Sequence, residues 1–178
     1  AFALMVADSP SIGIAAKRGW LFGVAHFTVT NNWIATAFTY QAEMPPALGW
    51  LAVPLLSLYL AVYPGIAAGL AKALVRNGSG PAFALALGAS WILGEWLRSW
   101  VFTGYSWGPF SLALMGPWDR PGFGALLPFA GTYALSGMAV CAAALLAMLV
   151  VAKRWLPLAA MAAVLVAGMY LPAGAGRE

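Results

Sequence analysis

Five apolar stretches separated by short breaks leave this chain few folds to adopt. They run over 19–40, 47–75, 81–101, 124–151 and 155–171. A helix rises about 1.5 Å per residue, so each stretch is near the length that crosses ~30 Å of hydrocarbon. A water-soluble domain needs polar residues to cover its surface, and few are available. Charged residues make up 8% of the chain and hydrophobic residues 63%, against about 25% charged in ordinary soluble domains. Mean hydropathy is +0.85. In lipid every backbone donor and acceptor must be satisfied internally. The expected fold is therefore all-α, a polytopic transmembrane helix bundle of about five membrane-spanning helices.

The breaks carry turn and charge signals: Glu43-Met44-Pro45-Pro46, Arg76-Asn77-Gly78-Ser79-Gly80 and Lys153-Arg154. The formal net charge is +4, yet the nine basic residues are scattered with no run of three. That pattern argues against nucleic acid as a partner and for a role in topology, since short loops that keep Lys and Arg stay cytoplasmic. Lys17 and Arg18 precede the first stretch, Lys72 and Arg76 flank the second break, and Lys153 with Arg154 lies before the fifth stretch. The alternation makes 1–18 a cytoplasmic lead-in or the end of a preceding helix. It makes 19–178 a transmembrane helical domain with an extracytoplasmic aromatic loop at 102–123 and an extracytoplasmic C-terminus. Pro54 and Pro64 predict kinks in the second stretch. Gly65 and Gly69 have the spacing that lets two helix backbones approach closely.

Chemistry-bearing motifs are few. There is no Ser/His/Asp set, HExxH, phosphate loop or paired-cysteine motif, so no cofactor and no metal is implied. Cys141, the single cysteine, sits in an alanine-rich stretch with no basic neighbour to lower its pKa and reads as a packed, inert thiol. His26 is an ionisable group within an apolar stretch and is a functional candidate by default. With no second ligand near it in sequence, packing or interhelical hydrogen bonding accounts for it. Asn31 and Asn32 read as hydrogen-bonding glue between helices.

The run Glu95 to Trp107 is denser. Glu95 and Arg98 are three apart, share a helix face and can pair. Counted from Pro81, they fall about 21 Å and 26 Å across the hydrocarbon, near the far boundary. Two readings fit: a snorkelling ion pair beside an interfacial aromatic belt, or the lining of a headgroup site.

That run, with Thr103-Gly104-Tyr105-Ser106-Trp107, resembles the "EWLRGW, FTGFPW" signature of the membrane domain of bacterial apolipoprotein N-acyltransferase. Gly19 to Gly23, then His26-Phe27 and Trp33-Ile34, is similar to that family's "GWLFG, hF, YWI" helix, and Gly131 to Ser136 is similar to its "GxYGLS". Ser99, Ser106, Gly108, Asn32 and Ala134 depart from the family's usual residues. The resemblance implies an enzyme of the bacterial inner membrane whose partners are membrane phospholipid and a lipoprotein. It would move an acyl chain from the phospholipid, commonly phosphatidylethanolamine, to the N-terminal cysteine of the diacylated lipoprotein. The family's Glu-Lys-Cys triad lies in a nitrilase-like domain beyond these helices, so the expectation is a partial member with about five of eight spans. It would hold no catalytic residue and be inactive alone. Glu95, Arg98 and Trp107 then become candidates for a phospholipid headgroup site, with Thr103 and Gly104 forming the turn that folds Trp107 back over Arg98. The alternative is a small non-enzymatic membrane protein, a transporter or assembly subunit, and the coding sequence flanking this chain discriminates the two.

Overall fold

Each apolar stretch is helical, with ends set by caps and breakers rather than by hydropathy. The computed structural model describes residues 1–40, 45, 47–76 and 80–171. Glu43, Met44 and Pro46 of the first predicted break, Asn77 to Ser79 of the second, and the C-terminal residues 172–178 lie outside them. The described residues form α1 (Phe2–Ala7), α2 (Ile12–Thr30), α3 (Trp33–Ala37), α4 (Ala47–Leu60), α5 (Val62–Leu74), α6 (Pro81–Arg98), α7 (Leu127–Val151) and α8 (Trp155–Met169). Short 3-10 turns join some of them, and among the described residues there is no strand, only an isolated bridge between Met115 and Gly122. The architecture is all-α, as expected. Ala47–Leu74 and Phe123–Val151 are long and apolar enough to cross a membrane by length and composition, and Trp155–Met169 is a shorter apolar helix.

The first stretch starts earlier than its hydropathy predicts. Ser11 caps α2 by accepting a hydrogen bond from the Ile14 N–H at 3.2 Å. Lys17 and Arg18, read as preceding the helix, therefore lie within it. An N-cap oxygen satisfies an orphan N–H whatever the polarity of the turn that follows, and hydropathy does not register it. The second stretch is two helices. Pro64 has no N–H to donate to the preceding turn, and α4 gives way to α5 at Ala61, while Pro54 stays inside α4. α7 bends at Gly131, whose φ is 74°.

Small residues bring the helices together. α2 runs antiparallel to α5: Gly23 lies against Ala61 and Pro64, Gly19 against Pro64 and Ala68, and Gly69 against Ala16 and Ile12. α6 meets α7 where Gly88 faces Gly137. The shared core holds Ala15, Ala67, Ala68, Phe83, Leu87 and Trp91. Without a hydrophobic drive between helices in lipid, such close backbone approach maximises dispersion contact.

Residues 1–18 hold α1 and the first turns of α2. Ala3, Val6 and Ala7 of α1 are buried, and Phe2 stacks on Phe22 at 4.2 Å. The last carbonyls of α1 are taken by two cations. Lys72 Nζ donates to the Ala7 carbonyl at 2.7 Å, while the Arg18 guanidinium donates to the Met5 carbonyl and to Ser9 Oγ. Orphan carbonyls at a helix C-terminus carry partial negative charge, so cations are their natural partners.

A side chain at Gly19 would run into the Pro64 carbonyl and Ala68 Cβ, whereas one at Gly13 would meet nothing nearer than Ser11 Oγ at 4.0 Å. Gly19→Leu is expected to lower stability by about 1–3 kcal/mol through overpacking. Gly13→Ala should be neutral or stabilising by up to ~1 kcal/mol. Thermal unfolding of both variants in detergent checks the contrast.

Candidate functional site

Glu95 and Arg98 carry charge into the apolar interior. They lie one turn apart on α6 and are 6% and 3% exposed. A charge withheld from water costs several kcal/mol unless it is paired or hydrogen-bonded. The ion pair that their spacing permits does not form. Among the described residues the one carboxylate–cation pair within 4.0 Å is the exposed Asp119–Arg120 contact at 3.6 Å. Both buried groups turn instead to the loop after α6, whose backbone groups offer charge-assisted hydrogen bonds. Glu95 Oε1 accepts from the Phe110 N–H at 2.8 Å and from the Trp91 indole N–H at 3.1 Å. Its second oxygen, Oε2, is buried with no hydrogen-bond partner among the described residues. Arg98 Nη1 donates to the Trp107 carbonyl at 2.7 Å, and the guanidinium lies 5.2 Å from the centre of the Phe27 ring, a cation–π distance.

The loop reaches these groups by folding back. After α6 a 3-10 turn spans Val101–Thr103, and Gly104 follows with φ 80°. A Cβ at Gly104 would strike the Ser99 carbonyl oxygen, so glycine is required on two counts, space and φ. The Tyr105 N–H then donates to the Arg98 carbonyl at 2.7 Å. The Thr103–Gly104 reversal thus exists, with the Thr103 side chain outside the described structure. What it brings to Arg98, however, is the Trp107 carbonyl rather than its ring. The indole is 66% exposed and lies against Trp33, ring centroids 5.5 Å apart.

Two further bonds hold the loop to the bundle. The Tyr105 hydroxyl donates to Asn31 Oδ1 at 2.8 Å, and the Ser111 N–H donates to Ser136 Oγ at 2.9 Å. Burial pushes the Tyr105 phenol above its usual titration range, with the Arg98 charge opposing, so it remains a donor at neutral pH. Beneath the loop is a cavity of about 10 Å³ lined by His26, Phe27, Tyr63, Trp91, Glu95 and Arg98 among others. His26 therefore packs, against Phe22, Phe27 and Phe110, and also faces the charged pair. Asn31 bonds the loop through Tyr105 rather than a second helix, while Asn32 is exposed. Tyr63 and Phe110 carry no sequence signal, and Tyr105 and Ser136 stand in sequence only as members of motifs, without a role, because links to the site span up to 74 residues.

Cys141 is half-buried rather than fully packed, in a separate groove with Gly88, Gly137 and Met161. Among the described residues no three His, Cys, Asp or Glu side chains are grouped to hold a metal. The site can bind and orient. Arg98 presents a planar set of N–H donors of which one nitrogen is engaged, and Glu95 keeps one acceptor oxygen unspent.

Replacing Glu95 by Leu strands the Phe110 amide and the Trp91 indole, at about 1–3 kcal/mol for each orphaned donor. Glu95→Gln keeps an acceptor oxygen and should lose less. Thermal unfolding should rank wild type, Gln, Leu in falling order. Equal losses for the two variants would mean that the charge, not the acceptor, holds the loop.

Comparison with known proteins places these features in one family. Residues 1–145 match the family described as the apolipoprotein N-acyltransferase N-terminal domain. Among similar curated proteins, the apolipoprotein N-acyltransferase of Ralstonia nicotianae is 35% identical over 174 residues, covering 93% of this chain and 32% of the relative. That of Chromobacterium violaceum is 34% identical, covering 74% of this chain and 25% of the relative. That of Vibrio cholerae is 29% identical, covering 86% and 30% respectively. The chain thus spans a third or less of the length of these relatives. Matched over most of its own length, it belongs to the apolipoprotein N-acyltransferase N-terminal domain family.

Proposed function

We propose that this chain forms the bilayer-embedded part of an enzyme that transfers an acyl chain from phospholipid to the N-terminal cysteine of a lipoprotein, and that it supplies a phospholipid headgroup site. The observation that carries this reading is a buried guanidinium with unspent donors beside a buried carboxylate oxygen without a partner, in a chain of this family. A zwitterionic headgroup complements that pair. Arg98 matches phosphate oxygens with a planar fork of N–H groups, Glu95 Oε2 accepts from an ammonium group, and the exposed Trp107 indole adds an aromatic face. Thr103 and Gly104 shape the turn that sets Trp107 in place. The covalent step belongs to residues outside this chain, since an acyl relay needs an activated thiolate and a positioned base and Cys141 has neither beside it.

In this reading the five spans are α2 with α3, α4 with α5, α6, α7 and α8, in the bacterial inner membrane. Residues 1–18 sit on the cytoplasmic side, and 19–178 form the transmembrane domain. Arg18 and Lys72 bond to α1 and the residues after it at one end of the bundle, with Lys17 beside Arg18 on α2, as the retention of basic residues on the cytoplasmic side favours. The aromatic loop after α6 and the C-terminus are extracytoplasmic.

Two measurements test this. A reporter that works only after export, fused after Glu178, should be active, and activity there of a cytoplasm-restricted reporter would overturn the topology. Arg98→Lys keeps the charge and loses the fork, so retention of phosphatidylethanolamine by the purified protein, read by native mass spectrometry, should fall roughly tenfold, the equivalent of one charge-assisted hydrogen bond. If both Arg98→Lys and Trp107→Ala left lipid retention unchanged in well-expressed protein, these side chains would be interfacial anchors only.

A further inference from the structure

The cavity over Glu95 and Arg98 measures about 10 Å³, room for about one water, while a phospholipid headgroup is many times larger. We propose that the segment from Gly104 to Gly108 is a lid over the buried Glu95 and Arg98 side chains, latched by the hydrogen bond from Tyr105 to Asn31, and that these two residues are positioning residues governing headgroup access to Arg98. The inference rests on the headgroup reading for its ligand and on the geometry alone for the lid.

Gly108 is part of the cavity wall. It rests over the end of α2, where an added Cβ would lie 3.9 Å from Thr30. Both ends of the segment are glycines at positive φ, 80° and 64°, conformations from which glycine moves at little steric cost. Beyond Gly108 the chain is bolted down, with the Phe110 and Ser111 amides held by Glu95 and Ser136. Motion is thereby confined to 104–108. On the α2 side the hydrogen bond closing this segment is Tyr105 to Asn31, 2.8 Å long.

Asn31 also ends α2 and starts α3: its N–H donates to the Phe27 carbonyl and its carbonyl accepts from the Ile34 N–H, each at 3.0 Å. Trp33, two residues on, is the platform for Trp107. One buried residue, 2% exposed, therefore registers both sides of the lid. Lifting the lid also releases the Trp107 carbonyl from Arg98. A phosphate oxygen arriving at that nitrogen would replace one acceptor by another, so opening followed by binding does not strand the buried cation.

The test is amide hydrogen exchange of the whole chain in lipid nanodiscs. Tyr105→Phe removes only the hydroxyl, and Asn31→Ala removes its acceptor. Each should speed exchange of the Tyr105 amide, which donates to the Arg98 carbonyl, about fivefold, the equivalent of one net hydrogen bond. The double variant should be no faster than either single, because both remove the same bond. Asn31→Asp, which keeps an oxygen acceptor, should stay within about twofold of wild type. Unchanged exchange in the single variants, additive effects in the double, or faster exchange spreading through α2 and α5 would each overturn the latch. Soluble glycerophosphoethanolamine should speed lid exchange in the wild type by favouring the open state. Faster exchange in the latch variants with no response to that headgroup would leave the lid standing and overturn the headgroup reading.

Discussion

A charge buried among apolar helices must find its partners inside the protein, and that requirement organises the loop end of this bundle. Glu95 and Arg98 could satisfy each other, yet both reach past one another to the backbone that follows α6. The loop has a matching need. Its Phe110 amide and Trp107 carbonyl have no helix or sheet partner, and an unpaired buried backbone group costs about as much as a lost hydrogen bond. Two sets of groups that would each be destabilising alone are satisfied together. The cation–π contact of Arg98 with Phe27 then ties the same charge to α2.

This arrangement depends on the close helix contacts beneath it. α2 lies on α5 through Gly19 and Gly23, and α5 lies against α6, with Gly94 near Tyr63. These contacts set how far the end of α2 stands from the end of α6, and so whether Asn31 meets Tyr105 at 2.8 Å. At the other end of the bundle Lys72 and Arg18 do for α1 what Glu95 and Arg98 do for the loop, supplying charged donors to carbonyls that have no helical partner. Most of the bundle is apolar, and its buried charged side chains, Lys72, Glu95 and Arg98, bond backbone groups at its two ends.

Much of this was legible in the residues. Hydropathy and length specify helices, Pro64 marks a break, and Gly104 marks a reversal, because each depends on the residue itself and its immediate neighbours. Glu95 and Arg98 stand out for the same reason: charge within an apolar stretch is expensive wherever it lies. What sequence could not supply was the partner. Spacing along α6 says that Glu95 and Arg98 can meet, but not that the Phe110 amide and Trp107 carbonyl compete for them and win. The bonds from Tyr105 to Asn31, from Ser111 to Ser136 and from Lys72 to Ala7 join residues 74, 25 and 65 apart. The sequence by itself therefore determined the all-helical class and which residues carry chemistry, since those follow from local free energies. Only the tertiary structure decided which backbone groups would be left without partners, and hence where the buried charges, the Trp107 ring and the Tyr105 hydroxyl would go.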